Sequence, residues 1–305
     1  MTAALNSGLV VGSHGRHCVV ETADGSRVIC HPRGKKSTAV VGDRVRWQPS
    51  KDEGTIEQVE PRRNLFYRQD ELRTKSFAAN LDLVLVLVAA EPVFSEHQLA
   101  RALVAAEDAG IAPLIALNKR DLAVPFARAL ERLAPYRDMG YTVLELALAQ
   151  ADAAQDTLLY THLRGKTTLV LGPSGAGKST LVNRLIPSAR AQTGEISQAL
   201  NSGKHTTTTT SLYWIDRAED TALIDSPGFQ EFGLHHIDPM HLAACMPDLR
   251  AHAKDCKFYN CTHLHEPGCG VISTVKSGYS LGGISANRYK IYSELFAELS
   301  APQRY

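Results

Sequence analysis

Thr167-Thr168-Leu169-Val170-Leu171-Gly172-Pro173-Ser174-Gly175-Ala176-Gly177-Lys178-Ser179-Thr180 is the stretch that decides the fold. A short apolar run ends in Gly-x-x-x-x-Gly-Lys-Ser and passes into residues 178–185, where apolar positions recur at helical spacing. Strand, glycine loop and helix in that order let backbone N–H groups converge on phosphate oxygens. Lys178 then offers a cation to the β and γ phosphates and Ser179 a hydroxyl to Mg²⁺, with Thr180 on the same first turn. The stretch predicts a P-loop nucleoside triphosphatase, and alone it does not choose between ATP and GTP.

Two further motifs supply the rest of a nucleotide site. Asp225-Ser226-Pro227-Gly228 follows an apolar strand and offers a carboxylate for the Mg²⁺ shell, with the Gly228 N–H facing the γ-phosphate. Asn118-Lys119-Arg120-Asp121 closes the buried run 111–117 and matches the guanine-reading pattern N-K-x-D. A carboxylate at Asp121 accepts from the N1–H and exocyclic amine of guanine, which adenine does not present, and the Lys119 stem can lie along the base. The order is unusual. The base motif precedes the phosphate loop, so the G-domain reads as circularly permuted. A further base-contacting segment is expected within 144–149, where the usual Ser-Ala-Lys is missing and Leu146-Ala147 is the nearest match.

Between the phosphate loop and Asp225 runs Gly203-Lys204-His205-Thr206-Thr207-Thr208, polar and long enough for a switch loop. Thr207 is the first choice for completing the Mg²⁺ shell and sensing the γ-phosphate, with Thr206 and Thr208 as alternatives. Phe229 stands where many GTPases carry the glutamine that orients the attacking water. Intrinsic hydrolysis is therefore expected to be slow, with His205 the internal candidate for orienting that water, against the reading of a solvated loop histidine.

Outward from this core the chain changes character twice. Residues 8–11, 17–21, 26–30, 44–48 and 54–59 read as short strands broken by turn residues, which predicts a small OB-like barrel. From residue 76 buried strands (81–90, 111–117, 141–146, 167–171, 211–215, 221–224) alternate with helices (98–109, 125–133, 152–163, 178–185). That pattern predicts an α/β sheet of about six strands. After Phe232 the chain turns rich in His, Pro and Cys and ends in a predicted helix at 284–299. The expected domains are 1–75, 76–233 and 234–305.

The length of 305 residues suits two or three domains, and 44% hydrophobic with 21% charged residues excludes disorder and fibre. The net charge is +1 overall, but residues 1–75 carry +4 and the remainder −3, so the barrel is mildly basic. Arg33, Lys35 and Lys36 are candidate phosphate contacts on one of its loops, with a solvated loop as the alternative. No apolar run reaches the length of a membrane span, and the start lacks the pattern of a secretory signal, so a cytoplasmic compartment is expected. In such a reducing compartment the six cysteines are not expected to pair. Cys18, Cys30 and Cys245 read as core residues. Cys256, Cys261, His263 and Cys269, spaced C-x₄-C-x-H-x₅-C, offer three thiolates and an imidazole to a structural zinc ion. His265 is a rival ligand, and free thiols are the other reading.

Taken together these motifs resemble the RsgA (YjeQ) family of circularly permuted GTPases that assist maturation of the small ribosomal subunit. The likeness runs from the barrel through Ala79-Asn80-Leu81-Asp82, the three nucleotide motifs and the Cys/His set, over nearly the whole chain. Ala176 where Val is frequent and Lys204 where Arg is common are departures that remove no essential group. The resemblance implies a P-loop α/β G-domain binding GTP/GDP with Mg²⁺, an N-terminal OB-like barrel and a C-terminal zinc-binding helical domain. It also implies rRNA contact through the barrel and zinc domain, and GTP hydrolysis stimulated by the small subunit. A monomer is expected. A phosphotransferase and an RNA-binding assembly protein with a vestigial nucleotide site are the other classes this sequence admits.

Overall fold

The first five strands are short and rich in Val, Ile and Cys, with buried and more exposed positions alternating in the last two: β1 (Asn6–His14), β2 (His17–Glu21), β3 (Arg27–Pro32), β4 (Arg44–Pro49) and β5 (Gly54–Val59). In this computed structural model residues 5–14, 17–34, 39–50, 53–70, 74–187, 189, 210–226, 232–276 and 282–302 are described. β1 pairs antiparallel with both β2 and β4, β2 pairs with β3, and β3 runs parallel to β5, which pairs with β4. The order β1-β2-β3-β5-β4 thus closes on itself as a barrel. Val10, Val20, Val45, Trp47 and Ile56 fill it together with Cys18 and Cys30, whose thiols burial pushes up to about 11 and about 12. Both are inert core residues.

A hairpin follows that the sequence did not announce: β6 (Leu65–Gln69) and β7 (Thr74–Ala79), spanning the expected change at residues 75–76. The sheet proper begins with β8 (Leu83–Ala89), every residue of which is buried. Leu83, Leu85 and Leu87 pack on one layer with Leu144, Leu159 and Leu181, while Val84, Val86 and Val88 pack on the other with Leu99, Leu103 and Leu133. Each such side chain contributes about 1.5–3 kcal/mol by leaving water, which is why the run carries no polar alternation.

The remaining elements are α1 (Glu96–Asp108), β9 (Ala112–Asn118), α2 (Ala123–Asp138), β10 (Val143–Glu145), α3 (Ala153–Leu163), β11 (Thr167–Leu171), α4 (Lys178–Leu185), β12 (Thr210–Asp216) and β13 (Thr221–Asp225). The sheet order is β10-β9-β8-β11-β13-β12, parallel except for β12. These are the six strands expected from sequence. The sheet does not end there: Gly12 and Ser13 of β1 pair with Ser211 and Thr210 of β12, so the barrel continues its edge.

Beyond Phe232 come a 3-10 helix (Pro239–Cys245), α5 (Pro247–Ala253), α6 (Gly270–Ser273), the short strands β14 (Val275–Lys276) and β15 (Ile284–Ser285), and α7 (Ala286–Ser300). Leu242, Leu249, Val271 and Leu295 join the same apolar layer as α1. Arg288 of α7 is buried, donates to both oxygens of Asp248 at 2.8 and 3.0 Å and lies over the Tyr136 ring of α2. Among the described residues no helix is long and apolar enough to cross a membrane.

Candidate nucleotide site

Parallel strands deliver their C-terminal ends to one edge of a sheet, and both nucleotide motifs sit at such ends, Asn118 closing β9 and Gly172 following β11. Between them is a cleft of about 500 Å³ lined by Asn118, Lys119, Asp121, Ala149 and the phosphate loop from Pro173 to Thr180, Ala176 apart. A cleft of that size suits a small ligand.

Two glycines decide whether the loop can form. Gly177 takes φ +107° just before α4, and a Cβ there would stand 2.4 Å from Asn118 Nδ2. A Cβ on Gly172 would meet the Leu87 carbonyl oxygen at 2.3 Å. Asn118 binds the two halves of the site: its Nδ2 donates to the Ala176 carbonyl at 2.9 Å and its Oδ1 accepts from Leu148 N at 3.0 Å. The Arg120 side chain turns instead to Asp152 at 3.0 Å, and its backbone N–H donates to Leu146 O at 2.9 Å.

Lys178 donates to the Gly172 and Pro173 carbonyls. Burial lowers its pKa and the nearby Asp225 partly opposes that; burial likewise raises Asp225, against the pull of Lys178. Asp225 ends β13 beside the phosphate-loop strand, paired in register with Val170. His205, Thr207, its alternatives Thr206 and Thr208, Gly228 and Phe229 lie outside the described residues, as do Lys35 and Lys36. Arg33 is exposed and paired with Glu57.

The RsgA GTPase family model matches residues 59–235. Over 296 residues the chain is 71% identical to the small ribosomal subunit biogenesis GTPase RsgA of Variovorax paradoxus (strain S110), covering 97% of this chain and 93% of that protein. The chain belongs to the RsgA GTPase family. A protein of the same name from Paraburkholderia phymatum is 52% identical, with 96% and 92% covered. The crystal structure of YjeQ from Thermotoga maritima superposes with a TM-score of 0.73 at 28% identity, covering 98% of this chain and 99% of that one. YloQ, described as a circularly permuted GTPase, gives 0.70 at 26%, covering 99% and 98%. The permuted order expected from sequence is thus the family's architecture, and the enzyme's reaction is GTP hydrolysis.

Sequence reasoning missed how segment 146–150 is held. Gln155, a buried polar residue on α3, accepts from Ala147 N at 2.5 Å, and Arg184 of α4 reaches the carbonyls of Leu148 and Gln150 and the Asp156 carboxylate. Ala149 is presented to the cleft by this scaffold, and the only sequence signal was a glutamine facing inward.

The second cluster gathers Cys256, Cys261, His263 and Cys269, whose ligand atoms all lie within 4.8 Å of one another. His263 Nδ1 is 3.4 Å from the sulfurs of Cys256 and Cys269, which are 3.8 Å apart. A tetrahedral zinc ion with Zn–S about 2.3 Å and Zn–N about 2.05 Å needs ligand separations of about 3.8 Å for S···S and about 3.6 Å for S···N. The set fits. Gly270 N and Ile272 N donate to the Cys256 and Cys269 sulfurs at 3.3 and 3.4 Å. His265 is exposed and stays outside the cluster, while Tyr289 and Tyr292 hold the His263 and Thr262 carbonyls from α7.

Proposed function

We propose that the enzyme is a guanine-specific switch that binds the small ribosomal subunit during its late maturation and turns over GTP faster when bound to it. The observation that carries the guanine reading is the convergence of Asn118, Lys119 and Asp121 with the phosphate loop in one cleft. The subunit reading rests on the name of the 71% identical relative, a small ribosomal subunit biogenesis GTPase.

In this reading Asp121 takes the guanine edge, Lys119 underlies the base, Ala149 closes the far side and the N–H groups of the loop hold the β-phosphate. Lys178 exchanges its two carbonyl partners for β and γ oxygens. Ser179 and Asp225 form a hard-oxygen donor set suited to Mg²⁺, and bound there the dication neutralises phosphate charge. Water adds to the γ-phosphorus as the bond to the bridging oxygen breaks, GDP leaves with that oxygen, and the water's proton ends on phosphate or solvent. The group that orients the water is assigned to the switch segment, with His205 first and Thr207 sensing the γ-phosphate, or to the partner. Cys256, Cys261, His263 and Cys269 hold a structural zinc ion. The domains proposed are the barrel, the permuted G-domain and the C-terminal zinc unit, with rRNA meeting the first and last.

In this reading the coupling runs through Arg101. Arg101 of α1 donates to the Phe232 carbonyl at 2.9 Å and to Glu298 of α7 at 3.0 Å, so one guanidinium touches both the segment after the switch and the C-terminal helix. The Phe232 ring packs on Phe66 and Phe77 of the β6–β7 hairpin. The test is GTP hydrolysis with and without small subunits at one stated salt, with ATP and Lys178→Ala as controls. Large stimulation confined to GTP and lost in the variant supports the reading; unstimulated turnover despite subunit binding replaces it with an assembly scaffold.

A further inference from the structure

Two histidines and a glutamate meet at one end of the barrel, in a cluster the nucleotide chemistry does not use. β2 and β3 are antiparallel with Cys18 opposite Cys30, so the next pair outward is His17 and His31, and their rings lie 4.4 Å apart, tilted by 57°. β3 and β5 are parallel with Cys30 opposite Gly54 and His31 opposite Thr55, and from the residue just before β5 the Glu53 carboxylate reaches across to His31. One ring nitrogen from each histidine and one carboxylate oxygen lie within 4.8 Å of one another, and His31 Nε2 meets the Glu53 carboxylate directly. Cys18 and Cys30, at the alternate positions, face the barrel core, so the donors are two nitrogens and one oxygen.

Among the described residues His17 Nδ1 is buried without a hydrogen-bond partner, and the contact between His31 and Glu53 leaves it so. A divalent ion would satisfy all three groups at once, because imidazoles bind metals through nitrogen lone pairs and the carboxylate supplies a negative charge. We infer that the barrel end is a second metal site, in which His17, His31 and Glu53 hold a borderline divalent ion of the zinc class. Imidazole with carboxylate suits Zn²⁺, Co²⁺ and Ni²⁺ better than Mg²⁺ or Ca²⁺. Three protein ligands, two on paired strands and one just before β5, form a set that leaves room for water, unlike the closed set at the C-terminus.

Full-length protein stripped by chelator and titrated with Zn²⁺ against a chromophoric competitor tests this, with bound metal counted by elemental analysis. Two zinc ions per chain are expected in the wild type and one in His17→Ala/His31→Ala. Glu53→Gln, which preserves shape, should weaken the barrel site at least about tenfold, since even lost outer-shell partners cost that much. Cys269→Ser should remove the other ion and leave the barrel one, keeping the two sites distinguishable. GDP binding, whose cleft shares no residue with the cluster, reports folding of each variant. One zinc per chain in the wild type, or a second whose affinity is unmoved by Glu53→Gln and His31→Ala, overturns the inference.

Discussion

Asn118→Ala removes a side chain that joins phosphate loop, base motif and segment 146–150. Asn118 is 4% exposed and its two hydrogen bonds go to the backbone of Ala176 and Leu148. Each lost bond costs about 1 kcal/mol net, and each buried partner left unpaired about 1–3 kcal/mol. Ala176 and Leu148 are buried but adjoin the cleft-lining Gly175, Gly177 and Ala149, so water entering the cleft can reach the freed groups and the lower part of that range applies, about 2–3 kcal/mol in total. Where the free protein relaxes and the nucleotide must restore the loop, the whole cost appears in affinity. At about 1.4 kcal/mol per decade that is a loss of about 30- to 150-fold for GDP and GTP alike. Where the loop stays rigid, the cost appears in the nucleotide-free protein as a Tm lower by several degrees. Titration with a fluorescent GDP analogue and calorimetry of the apo protein read the two parts separately. GDP affinity within threefold of wild type together with an unshifted Tm would refute the reading of Asn118 as the site's tie.

Three further expectations follow from other parts of the molecule. Asp248→Asn leaves the buried Arg288 guanidinium, 3% exposed, without its counter-charge and should destabilise the protein by about 3–5 kcal/mol in a denaturation series; a loss under about 1 kcal/mol would contradict the burial. Chelation should increase proteolysis within residues 254–270, reversed by Zn²⁺ in the wild type and not in Cys261→Ser; equal protection with and without metal argues against the zinc reading. His236, packed against the Tyr67 ring, has its pKa lowered from 6.5 by burial, with Asp108 opposing. The unfolded chain therefore binds the proton more readily, and this contribution to stability is complete above pH 6.5 and lost as pH falls below it toward the folded value. His236→Gln should flatten that acid limb, and a limb of unchanged slope counts against it.

What was legible in the sequence was whatever a ligand or a period imposes locally. Phosphate geometry fixes the spacing from Gly172 to Ser179, and the base fixes Asn118 to Asp121, so both motifs declared themselves without their neighbours. The barrel strands declared themselves through turn residues such as Asp24-Gly25. The β6–β7 hairpin did not, because the sequence between its strands, Asp70 to Arg73, is charged and carries neither glycine nor proline. Its role lies in long-range contacts: Gln69 N donates to Gly233 O and His235 N to Gln69 O, binding the hairpin to the segment after β13. The hold of Gln155 and Arg184 on segment 146–150 was equally invisible, since it joins residues far apart in sequence. The spacing favours His263 and admits His265 as a rival, and the backbone separates them, with His263 at φ +58° turning its ring toward the sulfurs.

The proposed switch would give these long-range contacts a purpose. In this chain order β13 and the segment after it lead directly into the C-terminal unit, so a change at the γ-phosphate side would have a covalent path to that unit. The hairpin and Arg101 restrain the same segment from the other side. A tenfold difference in subunit affinity between nucleotide states needs only about 1.4 kcal/mol of differential contact. A hydrogen bond to a charged group is worth about 1.5–3 kcal/mol, and the Arg101 guanidinium, 13% exposed, makes such bonds to Phe232 and Glu298. Making or breaking that bridge is therefore enough free energy for a useful switch. Arg101→Met should narrow the difference in subunit affinity between GDP and a non-hydrolysable GTP analogue while leaving GDP affinity unchanged. A difference of undiminished size would move the coupling out of this bridge and into the backbone alone.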